Sequence, residues 1–319
     1  MPIVRHDKLQ PDASPVSVTQ AELIRLNGPA RAIALDVLRV NSLQTGAYVS
    51  HFRGRGMEFD ESRPYQAGDD PRNIDWRVTA RSTTAYTKLF REERERPVLI
   101  MVDLRSSMHF ATKGCYKSVN ASRAAALLAW AAHHRGDRLG GLVFGDTTHR
   151  EIKPRLGRQA ALRYVHELQD HPDWVNRAET DVSEQSLTQA MAALKRVARP
   201  GSQVVILSDF AGFTRGPQAY LSGVARHSEV MAIFLSDPVE RELPPPGRYR
   251  LVGNTGEMAG EMTIDTHARR ARDDYQQAFA ERLGLLETFC QRYGVHLLPM
   301  STDDDPVACM QQALGRRAR

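Results

Sequence analysis

Val98-Leu99-Ile100-Met101-Val102-Asp103-Leu104-Arg105-Ser106-Ser107-Met108 is the stretch whose reading decides the fold. An apolar run, rich in β-branched residues, ends in one aspartate and a polar loop. A run of this length suits a strand buried on both faces of a parallel sheet. Asp103 then stands at the strand's carboxyl end, with Ser106 and Ser107 in the loop that follows. That edge is where open α/β sheets bind ligands. A carboxylate and hydroxyls there fit catalysis, metal binding or simple helix capping, and the strand alone leaves all three open.

Outward from this stretch, strand and helix patterns alternate. Lys117 to Arg135 reads as a helix with Gly136 as its stop, and Leu139 to Phe144 as a strand paired through a Gly145-Asp146 turn with Thr148 to Ile152. Helices follow at 158–169, 184–198 and about 216–227, with strands at Gln203 to Ser208 and Val230 to Leu235. Pro244-Pro245-Pro246 interrupts the alternation, and an inserted hairpin is expected at about 244–266. A long helix near 267–292, a strand from Val295 to Pro299 and a short helix at 305–314 complete the pattern. Alternation of this kind predicts an α/β, Rossmann-like sheet of mainly parallel strands with helices on both faces.

The N-terminal part reads differently. Residues 1–18 hold three prolines and read as a mobile leader. Thr19 followed by Glu22 is a capping-box pattern that starts a helix, and Gly28-Pro29 interrupts it. The expected organisation is therefore leader 1–18, a helix and polar segment over 19–96, and the sheet domain over 97–314.

Within 19–96 the densest polar run is Arg63 to Arg81, where carboxylates and four arginines surround Trp76. Fixed Arg–Asp pairs with Trp76 as a packing anchor would hold such a loop in one shape. Gly68, Asp69, Asp70, Arg72, Asp75, Trp76 and Arg81 are read as this structural brace. The Gly54-x-Gly56 upstream is not a nucleotide loop: Phe59 stands where the third glycine belongs, and no strand–turn–helix unit surrounds it.

At 319 residues and a net charge of +5 the chain is mildly basic, and its charges are mostly mixed. No basic and aromatic residues interleave into a nucleic-acid stripe, which makes that partner unlikely on composition. No apolar run approaches the ~20 residues of a membrane span. The N-terminus has no apolar signal core, and the expectation is a cytoplasmic protein without a membrane span. The three cysteines match neither a disulfide framework nor a zinc spacing.

Asp103 and Asp209 both terminate buried strands and point to one sheet edge. Two carboxylates with hydroxyls, including Thr180 from the loop before the 184–198 helix, make a hard-oxygen site suited to Mg²⁺.

The run from Gly54-Arg55-Gly56-Met57-Glu58-Phe59 through Arg63-Pro64-Tyr65, Gly68-Asp69-Asp70-Pro71-Arg72-Asn73-Ile74-Asp75-Trp76 and Thr79-Ala80-Arg81 to Asp103 resembles the DUF58 family. The resemblance implies a von Willebrand factor A-like domain. It also implies an adaptor or chaperone-like role beside a MoxR-type AAA+ ATPase and other von Willebrand A proteins. Such domains bind partners through a metal-ion-dependent adhesion site of the pattern Asp-x-Ser-x-Ser, a loop Thr and a later Asp. Asp103, Ser107, Thr180 and Asp209 match those positions, as ligands for Mg²⁺. Arg105 departs from the pattern, standing where the first serine belongs. It removes a hydroxyl and adds a positive charge, so it either replaces the metal, pairing with Asp103 or Asp209, or points away and weakens Mg²⁺ binding. Arg105 and Ser106 are then the expected contacts to an acidic partner.

Two functions compete with the adaptor. A Mg²⁺-dependent phosphohydrolase with Asp103 as nucleophile normally wants an acid/base carboxylate two positions on, where this chain has Arg105. A nucleic-acid-binding role rests on the arginines near 53–81 and lacks a recognition motif.

Overall fold

The run at Val98 forms an interior strand of a six-stranded sheet in the computed structural model. The structure describes residues 14–35, 57–66, 69–92, 97–175, 183–253 and 260–315. The chain divides into two compact units, a larger one of Met1–Gln44 with Arg96–Arg319 and a smaller one of Thr45–Glu95.

Helix α1 (Gln20–Arg25) opens the larger unit, and the Thr19 hydroxyl caps it by accepting from the Glu22 backbone N–H at 3.2 Å. Six residues are too few for a helix to persist alone. Its hold is tertiary: Leu23 is fully buried, its carbonyl accepts from the Trp130 indole at 3.0 Å, and burying such a side chain is worth about 2 kcal/mol. Glu22, expected to close a capping box, instead pairs with Arg123 at 2.6 Å. Gly28-Pro29 ends the helix, and a 3-10 turn runs over Pro29–Ala32. Of the expected mobile leader, residues 1–13 lie outside the described residues. Residues 14–18 are fastened instead, with the Pro15 carbonyl accepting from Tyr116 at 2.9 Å and Val18 buried.

The smaller unit contains β1 (Met57–Pro64), α2 (Trp76–Thr79) and β2 (Tyr86–Glu92), with β1 and β2 antiparallel. Phe59, standing where a nucleotide loop would have its third glycine, lies within β1, where β2 supplies the hydrogen-bonding partner. The helix at Gln20 therefore belongs with the sheet, and the polar segment stands as its own unit, whereas the sequence had grouped the two over 19–96.

The larger unit continues with β3 (Val98–Asp103), α3 (Lys117–Arg135), β4 (Leu139–Phe144), β5 (His149–Arg155), α4 (Arg158–Gln169) and α5 (Ser183–Val197). Next come β6 (Gln203–Ser208), α6 (Arg215–Ala225), β7 (Glu229–Ser236) and α7 (Pro238–Arg241). The hairpin β8 (Arg248–Gly253) and β9 (Gly260–Asp265) follows, then α8 (Arg269–Tyr293), β10 (His296–Ser301) and α9 (Pro306–Leu314).

Strand order in the main sheet is β10-β7-β6-β3-β4-β5, all parallel except β5, which runs antiparallel to β4. Alternate residues of β3 serve opposite faces. Val98, Ile100 and Val102 join the core with α1, α3, α4 and α9, whereas Leu99 and Met101 join the core with α5, α6 and α8. This is a Rossmann-like α/β architecture with an irregular N-terminal region. From β3 the chain builds outward to β4 and β5, then returns to place β6 on β3's other side. The topological switch point thus lies between β3 and β6, and Asp103 and Asp209 flank it.

Candidate functional site at the carboxyl edge of the sheet

Asp103 ends β3 fully buried, and its loop folds back on it. The Arg105 backbone N–H donates to Asp103 Oδ1 at 2.9 Å. The Arg105 side chain then lies along the same carboxylate, with Nε 3.0 Å from Oδ1 and Nη2 2.6 Å from Oδ2. Ser208 Oγ donates to Oδ2 at 2.6 Å. Both carboxylate oxygens are therefore taken. Nη1 of Arg105 donates to the Ala211 carbonyl at 2.9 Å, Nη2 lies 3.6 Å from Asp209 Oδ1, and the guanidinium sits 5.5 Å from the centre of the Phe144 ring.

Asp209, one residue beyond β6, is the second carboxylate. Its Oδ2 accepts from Lys117 Nζ at 2.9 Å and its Oδ1 from the Ala211 N–H at 3.0 Å. Phe210, between them, has φ 51°, the left-handed region that non-glycine residues seldom occupy. That conformation belongs to the turn that presents the Ala211 carbonyl to Arg105, and it costs about 1–3 kcal/mol. Lys117 also donates to Glu240 Oε1 at 2.7 Å. It opens α3, where the positive end of the helix disfavours a cation; the two carboxylates offset this.

Two buried cations thus interleave with Asp103, Asp209 and the partly exposed Glu240. Burial opposes the charges of Asp209, Lys117 and Arg105, but their neighbours win. Asp209 is held well below the usual carboxylate range by Lys117 and Arg105. Burial would lower Lys117, yet Asp209 and Glu240 raise it, and Asp103 does the same for Arg105.

The flanks are built alike. Ser106 donates through its N–H (2.9 Å) and Oγ (2.6 Å) to Asp146 Oδ2, which ties the β3 loop to the β4–β5 turn. Asp237, at the end of β7, caps α7 in a capping box with Glu240 and accepts from Thr112 and Thr302.

The sequence expectations meet this geometry unevenly. Asp103 and Asp209 come together as expected. Ser107 Oγ is buried without a hydrogen-bond partner among the described residues. Thr180 lies outside them. Arg105, expected to be offered to a partner, is fully buried, and Ser106 is occupied by Asp146. In the smaller unit Gly68 lies outside the described residues. Asp69 pairs with Arg63 at 2.8 Å, Asp70 caps a 3-10 turn, and Asp75 caps α2 and accepts from Ser62. Trp76 is not a packing anchor: it is 70% exposed. Lys117, Ser208, Asp237 and Glu240 were missed. A signal existed: Leu207-Ser208-Asp209 recurs as Leu235-Ser236-Asp237, marking two neighbouring strand ends of one type.

The carboxylate oxygens an adhesion-site metal would need are held by Arg105, Ser208 and Lys117, so Asp103 and Asp209 as arranged do not fit a Mg²⁺ ion. Among the described residues no group of three His, Cys, Asp or Glu is arranged to hold a metal. Among them also, no helix is long and apolar enough to cross a membrane.

Fold and site together define a Rossmann-like α/β protein with a charge-filled sheet edge. A family model described as protein of unknown function DUF58 matches residues 61–283, and the chain belongs to that family. Uncharacterized proteins of Mycobacterium tuberculosis and Mycobacterium bovis are 31% identical to it over 317 residues, covering 96% of this chain and 96% of each relative. Among solved structures, an aerotolerance-related membrane protein from Bacteroides fragilis aligns with TM-score 0.43 and 13% identity, over 69% of this chain and 96% of that one. BatB from Bacteroides thetaiotaomicron aligns with TM-score 0.41 and 13% identity, over 68% and 95%.

Proposed function

We propose that the chain is a non-enzymatic, chaperone-like adaptor that binds protein partners at the carboxyl edge of a von Willebrand A-like sheet. On this reading it works in the cytoplasm with a MoxR-type AAA+ ATPase and other von Willebrand A proteins. The adhesion site is degenerate: Arg105 and Lys117 stand in for the metal, and partners engage the rim of the site, not the buried guanidinium.

The observation that carries this reading is the enclosure of Asp103 by Arg105 and Ser208. A nucleophilic carboxylate needs a free oxygen aimed at substrate, and neither oxygen is free. A divalent ion at the same place would meet two fixed cations; even unit charges 4 Å apart repel by about 4 kcal/mol at an effective dielectric of 20. One observation favours a second reading, in which Arg105 swings out and Mg²⁺ returns: Ser107 Oγ is buried and unpartnered at a ligand position.

Affinity capture tests the adaptor role. The full chain and its Asp103→Ala variant are used as baits with a non-hydrolysable ATP analogue, after circular dichroism shows both folded. An AAA+ ATPase recovered with the wild type and depleted with the variant is expected. Its absence from the wild-type capture removes the reading's main support.

A further inference from the structure

The polar segment of the smaller unit sorts its charges by direction. Its carboxylates are consumed internally: Asp69 by Arg63 and the Gln66 N–H, Asp70 by the Arg72 N–H, Asp75 by Ser62 and the N–H groups of Arg77 and Val78. Its bases are not. Arg72, Arg77 and Arg81 are exposed, and none of their side chains bonds or pairs with a described residue. Between them stand Trp76, 70% exposed, and Val78. A large indole left in water within ten residues of three uncompensated guanidiniums is not explained by the packing of this unit.

We propose that the outward face of residues 72–81 is a second docking surface, for an acidic protein segment that carries an apolar or aromatic side chain. The surface belongs to the smaller unit, and the proposal does not depend on the reading of the sheet-edge site. Trp and Arg are over-represented among the side chains that dominate protein interfaces. The indole supplies a broad apolar face for one anchor residue, and each guanidinium pairs a carboxylate through two parallel hydrogen bonds. The partner's charge follows by complementarity: the aspartates are engaged within the unit and at most partly exposed, whereas the guanidiniums of Arg72, Arg77 and Arg81 are exposed. A polynucleotide fits less well, because strand-tracking sites stack successive bases on several rings along a longer basic groove. Within residues 72–81 there is one ring, Trp76, and the other exposed ring described in this unit is Tyr65.

The test uses the full chain and a defined set of labelled 12-residue peptides. Each carries one Leu, Ile, Phe or Trp among Glu and Asp, beside matched Lys/Arg peptides and a single-stranded oligothymidylate. Fluorescence anisotropy gives affinities for wild type, Trp76→Ala and the surface double variant Arg77→Glu/Arg81→Glu, each checked by circular dichroism. Saturable binding of acidic peptides is expected, weakened about tenfold or more by either variant, as is typical of interface anchors. The double variant is further expected to prefer the basic peptides. Equal binding of acidic and basic sets by the wild type overturns the proposal, as does binding unaffected by both variants. Tighter binding of the oligothymidylate overturns it in favour of nucleic acid. Trp76-dependent self-association in sedimentation overturns it in favour of a second copy of this chain.

Discussion

Arg105 lies along the carboxylate of Asp103, two positions before it in the chain, with Nη2 2.6 Å from Oδ2 and both side chains fully buried. In this place a von Willebrand A adhesion site would bring a metal to the aspartate from solution. Here the cation is covalently part of the loop. The strand end is therefore neutralised at folding, and its stability is tied to that one side chain.

Removing Arg105 leaves Asp103 buried without its cation and strips Asp209 of one of its two. Breaking a buried pair from one side costs about 3–5 kcal/mol. Arg105→Ser is expected to lower the urea midpoint accordingly, and Arg105→Ser with Asp103→Asn to recover part of the loss. Urea denaturation of the two variants reads this directly.

Lys117 is expected to couple to Asp209 across 92 positions of sequence. Lys117→Met and Asp209→Asn should each destabilise by about 3 kcal/mol. Combined, they should cost less than the sum, with a coupling energy of about 1–3 kcal/mol in a double-mutant cycle. Additive losses would mean that the pair is not formed.

The elements were legible in the sequence where local pattern and tertiary role agree. The strands near 98, 139, 203 and 230 are apolar runs because both sheet faces are covered, and Lys117 to Arg135 stops at Gly136 because a left-handed residue is needed there. Asp103 and Asp209 were legible because a buried run ending in a carboxylate is unusual. Lys117 and Glu240 were not, since their meeting joins elements 123 positions apart. The strand at Met57 was hidden because its register shifts between Phe59 and Glu61, which breaks the alternation. Trp76 misled because the same indole reads as a core anchor or a surface one until its exposure is known.

His171 makes the fold less stable in acid. Burial, with Arg150 nearby, pushes its pKa down to about 4 from 6.5, while its Nδ1 accepts from the Asp173 N–H. The unfolded chain therefore binds the extra proton between pH 6.5 and about 4. The contribution is complete above pH 6.5 and is lost as pH falls towards 4, the loss reaching about 2 kcal/mol at pH 5. His171→Gln should flatten this part of the pH–stability curve, measured by urea denaturation at pH 7 and pH 5.

Gly145 is required for a different reason. A Cβ there would collide with the buried Asp173 side chain, beneath the turn that holds Ser106 through Asp146. Gly145→Ala is expected to cost about 3 kcal/mol or more through overpacking. Gly136→Ala, with no atom within 4 Å but φ +83°, should cost only about 1–2 kcal/mol from backbone strain. Thermal melts of the two variants side by side separate collision from conformation.

On the proposed reading, the chain's own side chains take the place of the metal at Asp103 and Asp209. Isothermal titration of Mg²⁺ into the wild type and into Arg105→Ser, both verified as folded, tests it most directly. The expected result is no binding to the wild type and measurable binding to Arg105→Ser, where the freed Asp103 and the unpartnered Ser107 hydroxyl become available. Equal, tight Mg²⁺ binding by both proteins would contradict the claim.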